Sequence, residues 1–204
     1  MFLLPEFSTL AVFIGACLAL NFTPGADLMY SIATGAANGP RSAIAASLGI
    51  NLGVVVHIVM AAAGLAALIA ASPVLYDAIR YIGAGYLLWL AYSMWRAAPL
   101  EAGRANAAPW LRIVRNGFLT NLLNPKTALF IFAFLPQFAD PERGAIWAQI
   151  AVLGAVFVIT GFTVNACIGA LAGAAAGRLR AAAPVMNKLS AIIFGGLAAR
   201  LVFD

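Results

Sequence analysis

Asn21-Phe22-Thr23-Pro24-Gly25-Ala26-Asp27 and Asn121-Leu122-Leu123-Asn124-Pro125-Lys126 decide how this chain folds. Each stretch puts a proline and one full charge inside a long apolar run. The two prolines lie 101 residues apart in a chain of 204, one in each half. Proline lacks a backbone donor and clashes with the carbonyl four residues back, so each stretch predicts a helix that breaks or kinks. At membrane depth, irregular backbone is tolerated only where it is buried in protein or lines a wet cavity. A paired break in the two halves of one chain points to a transporter binding site.

Composition sets the solvent. Hydrophobic residues make up 64% of the chain and charged residues 9%, with a mean hydropathy of +0.97. A soluble domain carries about 25% charged residues. Ser42 to Tyr76 and Gly144 to Gly177 hold no charged residue, His57 counted neutral. Either run exceeds the roughly 20 residues that cross a bilayer. The chain therefore reads as an integral, all-α membrane protein. A net charge of +5 without a basic stripe gives no nucleic-acid site; excess Lys and Arg in such a chain sets topology. Met1-Phe2-Leu3-Leu4-Pro5-Glu6 lacks the basic start of a signal peptide. Cys17 and Cys167 sit in apolar runs and read as small core residues rather than a disulfide or metal site. With no CxxC, haem pair or nucleophile motif, the chain carries no signature of an enzyme or of a cofactor.

Six spans are expected: about Phe7 to Ala33, Ser42 to Ala71, Tyr76 to Trp95, Arg115 to Phe138, Ala145 to Gly177 and Val185 to Phe203. Pro24 breaks the first and Pro125 the fourth. Trp89, Tyr92 and Trp95 form an interfacial anchor at one end of the third. Residues 97–114 read as a cytoplasmic linker between two three-span repeats, 1–96 and 115–204. Arg41, Arg96, Arg104, Arg112, Arg115, Arg178, Arg180 and Lys188 fall on one side, against Arg80, Arg143 and Arg200 on the other. The side richer in cations is cytoplasmic, which places both termini outside. An odd number of spans per half makes the halves an inverted repeat. A shift of 101 residues also lays Gly53 on Gly154.

Asp27 and Lys126 are the charges of interest. Either one at a helix centre costs about 2.5–3.5 kcal/mol on insertion scales, so such residues face a cavity or each other. After each proline the free N–H groups of a new helix favour an anion, such as a carboxylate. The carbonyls that end the upstream half-helices, near Asn21 and Asn121, suit an ammonium or a cation. Together these ends fit a zwitterion. The candidate site comprises Asn21, Thr23, Pro24, Gly25, Asp27, Asn121, Asn124, Pro125 and Lys126. Asp27 would carry a coupling proton or the substrate ammonium. Lys126 and the helix N-termini would hold the substrate carboxylate, or Lys126 would pair with Asp27. His57, the only histidine, suits a proton relay or a packing role. Asn51 and Asn165 read equally as interhelical hydrogen bonds or cavity lining. Gly35-x3-Gly39, Gly49-x3-Gly53 and Gly169-x3-Gly173-x3-Gly177 allow close helix approach, within the bundle or in a homodimer.

Asn21-x-Thr23-Pro24-Gly25-x-Asp27 with Gly35 and Gly39 resembles the N-terminal signature of the lysine exporter/homoserine-threonine resistance family. Gly117-x3-Asn121-x2-Asn124-Pro125-Lys126-x3-Phe130 and Phe134-x-Pro136-Gln137-Phe138 resemble its second signature. The resemblance covers essentially the whole chain. It implies a small exporter of amino acids and derivatives in the bacterial inner membrane, driven by the proton gradient. Members of that family usually carry Pro where this chain has Ala26, which leaves one more backbone donor at the first break. Beyond Asp27 no carboxylate lies inside the membrane, which favours a neutral or homoserine-like substrate over a dibasic one. The rival class is a small-ion or metal-ion exporter or channel. Metal export would call for clustered Cys, His or Asp ligands, and Cys17, His57 and Cys167 form no such motif.

Overall fold

A computed structural model describes residues 5–71, 73–96 and 109–203. Among them the chain is all helical. The α-helices are α1 (Phe7–Phe22), α2 (Ala26–Asn38), α3 (Pro40–Ala71), α4 (Pro73–Trp95), α5 (Trp110–Leu122), α6 (Pro125–Ala133) and α7 (Ile146–Phe203). Two short 3-10 turns, Leu135–Phe138 and Pro141–Arg143, join α6 to α7.

Both prolines interrupt their helices. The pair α1 and α2 is bent by 55°, and the pair formed by α5 and the segment Pro125–Phe138 by the same 55°. Pro24 stands between α1 and α2, where it can donate no backbone bond. Pro125 opens α6 at its first position, where a missing N–H costs nothing. Two further stretches, Pro40–Gly64 and Ile146–Ala172, are long and apolar enough to cross a membrane. With each bent pair counted as one span, that makes up to four among the described residues.

The structure departs from the expected spans in two places. α5 begins at Trp110, inside the expected linker, whose residues 97–108 lie outside the described ones. The fifth and sixth spans are not separate helices: α7 is helical over 58 residues, with Pro184 inside it. Even so, Thr160 reaches Asn21, and Ser190 donates to the carbonyl of Ala19. A straight helix would separate residues 30 apart by about 45 Å. α7 therefore folds back on itself as two arms, and both pack against α1.

Polar residues lie buried among the apolar core, and the surface is rich in large apolar side chains. Thr23, Asn51, His57, Asn121, Asn165, Asn187 and Ser190 are buried, while Val59, Ile82, Leu88, Ile159 and Ile192 are exposed. Such a surface suits hydrocarbon. Trp89, Tyr92 and Trp95 face outward near the end of α4, where Lys188 Nζ lies 5.8 Å from the Trp95 ring centre. At the opposite end Arg143 bridges Glu6 at 2.9 Å and Asp140 at 3.3 Å.

The core divides at the level of the breaks. One apolar layer joins Phe13, Cys17 and Leu20 to Val54, Phe130, Phe134, Phe157 and Phe194. Aromatic contacts run through it, with Phe130 against Phe157 at 5.4 Å and Phe13 against Phe138 at 5.1 Å. A second layer joins Leu28 and Ile32 of α2 to Val164, Ile168 and Ala172 of α7. Cys167, expected in a core, is exposed; Cys17 is buried, and both are free thiols.

Glycines let the backbones touch within this one chain. A Cβ on Gly35 would collide with the Gly169 backbone, and one on Gly49 with the Val114 carbonyl. Gly35→Ala is therefore expected to destabilise the purified protein by about 1–3 kcal/mol. Gly15 has nothing within 4 Å of an added Cβ, so Gly15→Ala is expected to be neutral or slightly stabilising. Thermal unfolding of both variants in detergent checks this; equal midpoints would contradict the close approach.

Candidate functional site

The two breaks meet between the apolar layers and cap each other. Asp27 lies in the first turn of α2. Its Oδ2 accepts from Asn121 Nδ2 at 2.9 Å, Asn124 Nδ2 at 3.0 Å and Thr127 Oγ1 at 3.1 Å. All three donors come from the second break. In the other direction, Lys126 Nζ donates to the carbonyls of Leu20 and Thr23, each at 2.9 Å. Those carbonyls end α1, where a helix carries partial negative charge; the Leu20 carbonyl also accepts from the Thr23 N–H at 3.2 Å. Hydrogen bonds to charged groups contribute about 1.5–3 kcal/mol each, so these contacts tie the two halves together.

Local sequence explains each position. Asn124 caps α6, its Oδ1 accepting from the Lys126 backbone N–H at 3.0 Å while its Nδ2 turns to Asp27. Gly25 is extended at φ −159°, a conformation open to any residue. Its lack of a side chain serves space instead, since a Cβ there would sit 3.3 Å from Lys126 Nζ. Asp27 and Lys126 form no ion pair within 4.0 Å among the described residues; each is held by neutral groups of the opposite break.

Around these groups lies a cavity of about 20 Å³, lined by Asn21, Thr23, Asp27, Asn121, Lys126 and Thr127 of the two breaks. α3 adds Ile50, Asn51 and Val54, and α7 adds Phe157, Gly161 and Asn165. That volume admits about one water molecule and no amino acid, so the arrangement is closed. Gly161 makes room for two polar neighbours, as its added Cβ would lie 3.3 Å from Asn21 Oδ1 and 3.6 Å from Asn51 Oδ1. Asp27 Oδ1, Asn121 Oδ1 and Asn165 Oδ1 are buried and meet no donor from the protein. Such atoms keep acceptor capacity for something that enters.

The expected site residues come together unevenly. Asn21, Thr23, Asp27, Asn121 and Lys126 line the cavity. Asn124, Pro125, Pro24 and Gly25 shape the breaks instead, and Asn124 reaches the site through Asp27. His57 is not among the lining residues. Its Nε2 lies 3.4 Å from the Asn121 carbonyl at the end of α5, and its ring meets Phe132 edge-on. Asn51 and Asn165 are lining residues, and Asn51 also bonds the Ser47 carbonyl on its own helix. Sequence reading missed Thr127, the third donor to Asp27. Its signal was a hydroxyl in the first turn of α6, one residue after Lys126. It also missed Gly161 of α7, whose role depends on how α7 packs against α1.

The chain was compared with known proteins. A profile of the LysE type translocator family matches residues 18–204. A membrane protein of Vibrio cholerae, itself uncharacterized, is 37% identical over 74% of this chain and 72% of its own length. A homoserine/homoserine lactone efflux protein of Salmonella typhimurium is 31% identical over 71% of each chain. A leucine efflux protein of Klebsiella pneumoniae is 31% identical over 94% of this chain and 93% of its own. No solved structure gives a significant match. With two breaks cross-capped around one closed cavity, and a family profile spanning nearly its full length, this chain belongs to the LysE type translocator family.

Proposed function

We propose that this chain is a secondary transporter that exports neutral amino acids or homoserine-like derivatives across the bacterial inner membrane by proton antiport. The observation that carries the reading is the reciprocal capping of Asp27 and Lys126 across two broken helices, around one closed cavity. An alternating-access carrier needs such a site, and one arrangement of it is closed on both sides. In the proposed layout six passes form two oppositely oriented halves, with both termini outside. Support comes from the equal 55° bends and from the two arms of α7 against α1. Asp27 is the proposed proton carrier: its Oδ1 is buried without a donor, and a proton there would neutralise the only carboxylate among the described residues that line the cavity. That lone carboxylate favours a neutral over a dibasic substrate, in keeping with relatives named for leucine and homoserine efflux.

Expression in a host sensitised to amino-acid analogues tests the reading. The expected result is resistance to neutral analogues together with faster efflux of the matching amino acid from preloaded cells. Protection against dibasic compounds alone would overturn the substrate preference. No protection and no efflux would overturn the transporter reading.

A further inference from the structure

The two occupants of the closed site differ in how easily they can leave. Asp27 is bound to three donors on a short stem fixed in the first turn of α2, so it cannot depart without moving that helix. Asn124 in turn caps the Lys126 N–H in the first turn of α6. Lys126 is held at the tip of a four-carbon stem that turns freely. It rests on two carbonyls, and Gly25 leaves open space beside its ammonium. Leu20, Thr23 and Lys126 all line the cavity.

We infer that the carbonyls of Leu20 and Thr23 form the substrate's ammonium site, and that Lys126 fills this site until a substrate ammonium displaces it. This rests on the reading of the chain as an amino-acid exporter. The exchange is like for like: one primary ammonium with three N–H donors replaces another, so no charge is left bare at the carbonyls. The freed Lys126 then meets the substrate carboxylate where there is one. The ammonium is thus the required element of recognition and the carboxylate is optional. Amides and esters of amino acids enter the site, and N-acetyl amino acids do not.

The test uses the intact protein in proteoliposomes. Lys126 and Lys188 are the chain's two lysines, and Lys188 is exposed, so it serves as the internal reference. Brief acetylation with acetic anhydride, read by mass spectrometry, gives the ratio of Lys126 to Lys188 labelling. A transported amino acid, or its amide, should raise this ratio roughly tenfold, the scale of losing one charge-assisted hydrogen bond. The N-acetyl derivative should leave it unchanged and should not compete for transport. Transport with an unchanged ratio, or equal competition by the N-acetyl derivative, overturns the inference and leaves the exporter reading standing. Absence of any amino-acid transport overturns both.

Discussion

Lys126→Met lowers the stability of the purified protein by about 3 kcal/mol, and adding Asp27→Asn restores part of the loss. The single change strips the Leu20 and Thr23 carbonyls of their shared donor. It also leaves the Asp27 carboxylate as the only charge among the described residues that line the cavity. The two charge-assisted hydrogen bonds lost, at about 1.5–3 kcal/mol each, set the scale of the loss. Asp27→Asn removes that charge while a side-chain oxygen can still accept from Asn121, Asn124 and Thr127. The double variant is therefore neutral in the cavity and should be more stable than Lys126→Met alone. Unfolding midpoints in detergent for wild type, both single variants and the double variant close the cycle. Strictly additive losses would show that the two charges do not feel each other across the breaks.

Asp27→Asn alone reduces export by roughly a hundredfold, the scale of about 3 kcal/mol. The substitution keeps the shape of the side chain and its acceptor oxygen, so the effect isolates the charge and its proton. Efflux from preloaded cells, matched for protein level, measures it. Gel-filtration profiles like those of wild type are expected to accompany the loss. Wild-type efflux from Asp27→Asn would remove Asp27 from the proposed coupling.

The breaks were legible because proline at membrane depth has few meanings. Pro24 and Pro125 lack an N–H wherever they stand, and a neighbouring charge in an apolar run must find partners inside the protein. What the sequence left open was the pairing. The helix C-terminus near Asn21 was expected to suit a foreign ammonium, and the helix N-termini a foreign carboxylate. In the closed structure the protein's own Lys126 occupies the helix C-terminus, while Asp27 is held by side-chain donors of the opposite break rather than by helix N–H groups. Only the crossing of α1–α2 against α5–α6 decides this, and no local pattern encodes it. The fold-back of α7 without a break in its helical backbone was hidden for a related reason. The residues around Arg178 and Arg180 read as a loop by charge, while α7 continues through them as helix. Thr127 was overlooked because a hydroxyl after a lysine looks ordinary until Asp27 is placed beside it.

One measurement bears most directly on the two breaks as a single proton-linked export site. The purified wild-type protein is reconstituted into liposomes loaded with a radiolabelled neutral amino acid, and efflux is followed with and without an acidic exterior. The account predicts saturable efflux that accelerates when the outside is made acidic. Efflux that does not saturate, or that ignores the proton gradient, would contradict it.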